Sequence, residues 1–68
     1  MTFKVIVTYK IHDSSVMTKE LTGVEKVERT WEKIGEDNVE VVRVHERPWQ
    51  YYTWAAGAIL NINVIAER

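Results

Sequence analysis

The stretch Thr22-Gly23-Val24-Glu25-Lys26-Val27-Glu28-Arg29-Thr30-Trp31-Glu32-Lys33-Ile34-Gly35 decides the fold, because it supports two incompatible readings. Thr22 and Glu25 have the spacing of a capping box, in which the Thr22 hydroxyl accepts from the Glu25 amide and the Glu25 carboxylate from the Thr22 amide. Val24, Val27, Trp31 and Ile34 then recur at steps of three, four and three, while Glu25, Lys26, Glu28, Arg29, Glu32 and Lys33 fill the other faces. Gly35 stands where a left-handed C-terminal cap belongs. Start, stripe and stop together predict a helix over residues 23–35, of about three turns. Val, Thr, Trp and Ile are weak helix formers, so such a helix depends on packing of its Trp31 stripe. The competing reading folds residues 27–34 onto 39–46 as a hairpin across Gly35-Glu36-Asp37-Asn38.

Outward from this stretch the chain reads as strands. Over residues 2–12, Phe3, Val5, Val7, Tyr9 and Ile11 alternate with Lys4, Thr8, Lys10 and His12, with Ile6 as the exception. Asp13-Ser14-Ser15 is a turn cluster, and residues 16–21 return as an edge strand carrying the polar run Thr18-Lys19-Glu20. Residues 39–47 are strand-like by their valines, with a slip of phase at Val41-Val42 that predicts a bulge or burial on both faces. Pro48 ends that strand. Residues 49–54 form a short strand or an aromatic loop, Ala55-Ala56-Gly57-Ala58 a small-residue bend, and 59–67 a closing strand with Leu60, Ile62, Val64 and Ala66 on one side.

With the helix, residues 1–68 make one α+β domain, β-β-α-β-β: an antiparallel sheet of four or five strands with one short helix packed on it. Without it, the alternative is an all-β small barrel of the SH3-like or Sm-like kind, with five or six strands.

Composition narrows the function classes. Nine Lys+Arg against ten Asp+Glu give a net charge of −1, which supplies no attraction to a phosphate backbone, so nucleic acid is not an expected partner. The chain has no cysteine, which removes disulfides and thiolate chemistry and suits a reducing cytoplasm. The longest near-apolar run, 55–60, is far too short for a helical membrane span, and Thr2-Phe3-Lys4 does not open a signal peptide.

Chemistry-bearing residues are sparse. His12 and His45 lie in no metal-ligand spacing. His12, Asp13 and Ser14-Ser15 offer the residue types of a hydrolase triad but no nucleophile turn, and turn chemistry accounts for them. Glu36, Asp37 and Glu40, and the pair Glu46-Arg47, carry carboxylates, yet a chain of 68 residues hardly encloses a pocket of several hundred Å³ together with a core. Gly23, Gly35 and Gly57 are isolated, so no phosphate-cradling loop is present. The expectation is a non-enzymatic protein with no cofactor and no metal.

Pro48-Trp49-Gln50-Tyr51-Tyr52-Thr53-Trp54 holds four of the seven aromatic residues. As a strand it puts Trp49, Tyr51 and Thr53 on one face and Gln50, Tyr52 and Trp54 on the other, so one set is core and one exposed, or both are sandwiched. Trp, Tyr and Arg dominate interface hot spots, which makes Arg43, Arg47, Trp49, Tyr51, Tyr52 and Trp54 the candidate protein-binding residues. The partner is another protein or a second copy of the chain, as a homodimer.

The opening Phe3-Lys4-Val5-Ile6-Val7-Thr8-Tyr9, the central Leu21-Thr22-Gly23-Val24-Glu25-Lys26-Val27 and the closing Ile59-Leu60-Asn61-Ile62-Asn63-Val64 together resemble short uncharacterised accessory proteins of phages and prophages. The resemblance is one of strand patterning across the chain. It implies a small accessory protein, of the sort that inhibits a host protein by binding it.

Overall fold

The computed structural model describes residues 1–12, 14–47 and 49–67. Asp13, expected in a turn and in the triad types, and Pro48, expected to end a strand, lie outside them. Among the described residues six strands follow one another: β1 (Phe3–Lys10), β2 (Val16–Val24), β3 (Lys26–Ile34), β4 (Asp37–Arg47), β5 (Gln50–Ala55) and β6 (Ile59–Ala66), with one 3₁₀ turn, Ala56–Ala58, before β6. They form two antiparallel three-stranded sheets, ordered β2-β1-β6 and β3-β4-β5.

This overturns the α+β expectation. The segment predicted as a helix is β3, paired with β4 from Lys26 opposite His45 to Ile34 opposite Asp37. What covers the first sheet is a second sheet. The residues that weaken the helix, Val27, Thr30, Trp31 and Ile34, are the β-branched and aromatic types that suit a pleated surface, and the long-range ladder decides between the two periods. Gly35 keeps its left-handed conformation, φ +64°, but as the first residue of a two-residue hairpin turn with Glu36. The all-β alternative agrees with the strand content; among the described residues no ladder joins β5 to β6, so the two sheets stay separate.

The supposed capping box is a corner. Phe3 pairs with Val24 and Val5 with Leu21, so β2 carries one extra residue there, and Gly23 sits at φ +66°. A glycine in the left-handed region is what such a bulge requires. Glu25 alone separates β2 from β3, and its amide donates to the His45 carbonyl at 2.8 Å. The chain thus passes from one sheet to the other without a loop.

Alternation in β1 sends Val5 and Val7 inward, where they meet Leu21 and Val24 of β2 and Val44 of β4. Fully burying a valine stabilises by about 1.5–3 kcal/mol. Phe3, Tyr9, Val27, Tyr52, Trp54, Ile59 and Ile62 rim this centre. Val41 and Val42 are both buried on opposite faces of β4, which settles the phase slip as two-sided burial; the bulge in β4 lies between His45 and Arg47.

The molecule measures 40 × 27 × 14 Å, and its 12.5 Å radius of gyration exceeds the about 11 Å of a compact chain this long. β4, with 11 residues, nearly spans the long axis at about 3.4 Å per residue. The far end of the β3–β4 hairpin therefore projects past the first sheet. Trp31 shares the inward face with Val42 and Val44 by register, yet is 65% exposed.

Candidate protein-binding face

Alternation along β5 divides the six candidate residues. Tyr51 is opposite His45 and Thr53 opposite Arg43, whereas Tyr52 is opposite Val44 and Trp54 opposite Val42. The second pair shares the face of the buried valines. The Trp54 ring packs on Tyr9 of β1 at 5.5 Å between centroids and on Tyr52 at 6.1 Å. Lys19 of β2, also on the inward side, holds its Nζ 4.9 Å from the centre of the Tyr52 ring, which gives a cation on that face an aromatic partner. Tyr52 and Trp54 thus join the sheets and stand apart from the outer surface.

On the outer face Tyr51 receives Arg43, whose guanidinium carbon lies 5.1 Å from the ring centre, and His45, with ring centroids 5.2 Å apart. Arg43 Nη2 donates to Glu32 Oε2 at 3.4 Å, and its Nε is buried with no hydrogen-bond partner among the described residues. His45 Nε2 lies 3.0 Å from Glu28 Oε1, and Lys26 Nζ 3.5 Å from Glu28 Oε2. The His45 hydrogen bond, helped by the Lys26 charge and opposed by desolvation, holds the Glu28 carboxyl below its ordinary range. Three strands therefore supply one connected surface: Lys26, Glu28 and Glu32 from β3, Arg43 and His45 from β4, and Tyr51 from β5.

Arg47 and Trp49 extend this region to the end of the β4–β5 hairpin. Arg47 is exposed and opposite Gln50, and Trp49, in the connecting turn, is 77% exposed, the most of any aromatic residue. Tyr51 itself is 49% exposed. The structure thus brings Arg43 and Tyr51 into contact and leaves Trp49 in solvent.

His45, Glu28 and Glu32 belong to the surface and were outside the candidate set. The signal for them was the hairpin register of residues 27–34 on 39–46, which places acidic residues of one strand beside Arg43 and His45 of the other. His12, Ser14 and Ser15 lie exposed in the β1–β2 connection, closed by the Ile11 amide on the Ser15 carbonyl and the Ser15 amide on the His12 carbonyl. Among the described residues no helix is long and apolar enough to cross a membrane. No family model, curated protein or solved structure matches the chain. The fold and surface define its class: a small two-sheet antiparallel β protein whose outer face sets exposed aromatic side chains beside ion-paired ones.

Proposed function

We propose that this chain is a non-enzymatic protein-interaction module of the cytoplasm, which holds a partner protein on the outer face of the β3-β4-β5 sheet. Trp49 and Tyr51 are the anchors, and Arg43 and Arg47 supply the charge around them. The observation that carries this reading is the exposure of Trp49 and Tyr51 beside a stacked arginine. Large rigid aromatics next to arginine are the groups that contribute most when an interface forms, because they bury much area at little entropic cost. The largest fully buried side chains here are valines, so these two aromatics are not needed as core. The resemblance to phage accessory proteins points to a host protein as partner and to inhibition as the outcome of binding.

The test is capture of partner from host-cell extract by the chain against its Trp49→Ala/Tyr51→Ala variant, with circular dichroism on both. The reading expects native spectra for both and at least a tenfold loss of the captured protein in the variant. Equal capture by both proteins sinks it. So does loss of the native spectrum, since the two side chains would then be holding the fold.

A further inference from the structure

The edge of the other sheet carries a separate feature. β6 pairs with β1 alone, and its second edge bears no ladder among the described residues. Proteins blunt free edges with charges, proline or brevity. The edge strand β3 has Lys26, Glu28, Arg29, Glu32 and Lys33, β2 has Lys19, Glu20 and the Gly23 bulge, and β5 is six residues long. β6, Ile-Leu-Asn-Ile-Asn-Val-Ile-Ala over eight residues, has no charge and no proline. Leu60 and Val64 are 53% and 48% exposed on it, and Ile65 is exposed as well.

The strand is also nearly palindromic. Ala58-Ile59-Leu60-Asn61-Ile62-Asn63-Val64-Ile65-Ala66 reads the same in both directions except for the exchange of Leu60 with Val64. Antiparallel pairing about a two-fold axis sets each residue opposite its counterpart in the reversed strand. An axis through Ile62 therefore places Ile62 on Ile62 and Asn61 on Asn63 of the second copy, like with like; the bulge at Leu60 turns Ile59 inward onto Tyr9 and leaves it outside this register. Facing residues must share a face, so the neighbouring registers are those centred on Asn61 or Asn63. The first centres the pairing next to the bulge at Leu60, and the second sets Asn61 opposite Ile65, burying an amide against an alkyl chain.

From the uncharged free edge and this self-complementary register we infer that β6 is a homodimerisation strand. It pairs antiparallel with β6 of a second copy about an axis at Ile62, making one six-stranded sheet, β2-β1-β6-β6-β1-β2. On one face Ile62 and Val64, which are opposite the core residues Val7 and Val5 in β1, extend the apolar side of the sheet across the axis. On the other, Asn61 and Asn63 make two amide–amide pairs. The bulge between the Thr8 and Tyr9 pairings falls at Leu60, so the regular ladder with β1 runs from Asn61 to Ala66 and includes the three residues paired about the axis. A monomer of 8.0 kDa exposes about 4,450 Å² by surface scaling, and this chain exposes 5005 Å², an excess on the order of 500 Å² to which the projecting hairpin and this edge both contribute.

Sedimentation equilibrium at high micromolar concentration tests the inference on the whole chain. The wild type is expected at twice the 8.0 kDa monomer mass, with no dependence on salt. Asn61 and Asn63 are exposed, so charges there leave the monomer folded, as circular dichroism verifies. Asn61→Lys/Asn63→Lys sets two lysine pairs face to face and is expected to return the mass to that of a monomer. Asn61→Lys/Asn63→Glu sets opposite charges face to face only in the Ile62-centred register, and is expected to remain a dimer whose affinity falls as salt rises. A wild type that stays monomeric, or grows into open-ended oligomers, overturns the inference. So does a Lys/Glu variant that dissociates like the Lys/Lys one. Tyr51 lies in the other sheet and Trp49 in the turn that leads to it, so failure here leaves the proposed partner face standing, and failure there leaves this edge.

Discussion

Trp54 of β5 packs its ring on Tyr9 of β1 at a centroid distance of 5.5 Å and a tilt of 50°, and this contact joins the two sheets where no ladder does. Both side chains are half-buried against the valine centre. Truncating a fully buried tryptophan costs about 3–5 kcal/mol, and a half-buried one roughly half that, about 2 kcal/mol. Trp54→Ala is expected to lower the urea midpoint markedly, while Trp49→Ala leaves it within about 0.5 kcal/mol of the wild type. Equal effects from the two substitutions would remove the division of the aromatic stretch into an inner and an outer set.

Gly35 and Gly23 test the corner and the turn that replace the expected helix. Both have positive φ, and a β-carbon at either position meets nothing within 4 Å. The cost of alanine is therefore conformational alone, about 1–2 kcal/mol at each site. Gly35→Asn is expected to recover most of the loss at the turn, because asparagine tolerates the left-handed region. A helix C-cap would show the same preference at Gly35 but none at Gly23, so the informative result is a comparable loss at Gly23, measured by urea unfolding.

Much of this architecture was open to reading from local pattern. The alternation of Phe3, Val5, Val7 and Tyr9 marks β1 and its core face, and the turn residues after it mark the return of β2. Val41-Val42 signalled two-sided burial, and both valines are buried on opposite faces of the central strand β4. Residues 22–35 failed because a local rule was satisfied by accident. Thr22 and Glu25 have capping-box spacing, and the three-four-three stripe is not one face of a strand: Val24 closes β2, Val27 and Trp31 share a face of β3, and Ile34 lies on the other. Only the pairing with β4, more than ten residues away for most partners, separates the two, and no local window contains it. The aromatic stretch was legible as two faces, but which face met the core depended on that same sheet. β6 was legible as a strand; the bulge at Leu60, which brings Ile59 rather than Leu60 onto Tyr9, was not.

Glu67 ties the chain's last described residues to its first sheet. One oxygen, Oε1, accepts from the Gly23 amide at 2.9 Å and from the Thr2 hydroxyl at 3.1 Å, while the Glu67 amide donates to the Thr2 carbonyl at 3.0 Å. The carboxylate thus satisfies the backbone at the bulge. Hydrogen bonds to a charged group contribute about 1.5–3 kcal/mol when buried and less at a surface such as this. Glu67→Ala is expected to cost on the order of 1 kcal/mol, and Thr2→Val less, by chemical denaturation. Additive losses in the double variant would argue against the shared oxygen.

Glu28 gives the outer face a dependence on pH. Its carboxyl is held below the ordinary range first by the hydrogen bond from His45 and then by the Lys26 charge, with desolvation opposing. Between the folded and the unfolded value the native state binds fewer protons than the unfolded chain, so stability rises with pH in that window. The contribution is complete above the unfolded carboxylate value and is lost as pH falls through the depressed folded one. Glu28→Gln should therefore flatten the acid limb of the stability profile. His45→Gln should shift the same limb, because the largest cause of the depression goes with the imidazole. Urea midpoints across the acid range measure both. An acid limb unaltered by Glu28→Gln would mean that the His45–Glu28 contact exerts no pull on the carboxyl in solution, and the outer face would then be held by Arg43 and Tyr51 alone.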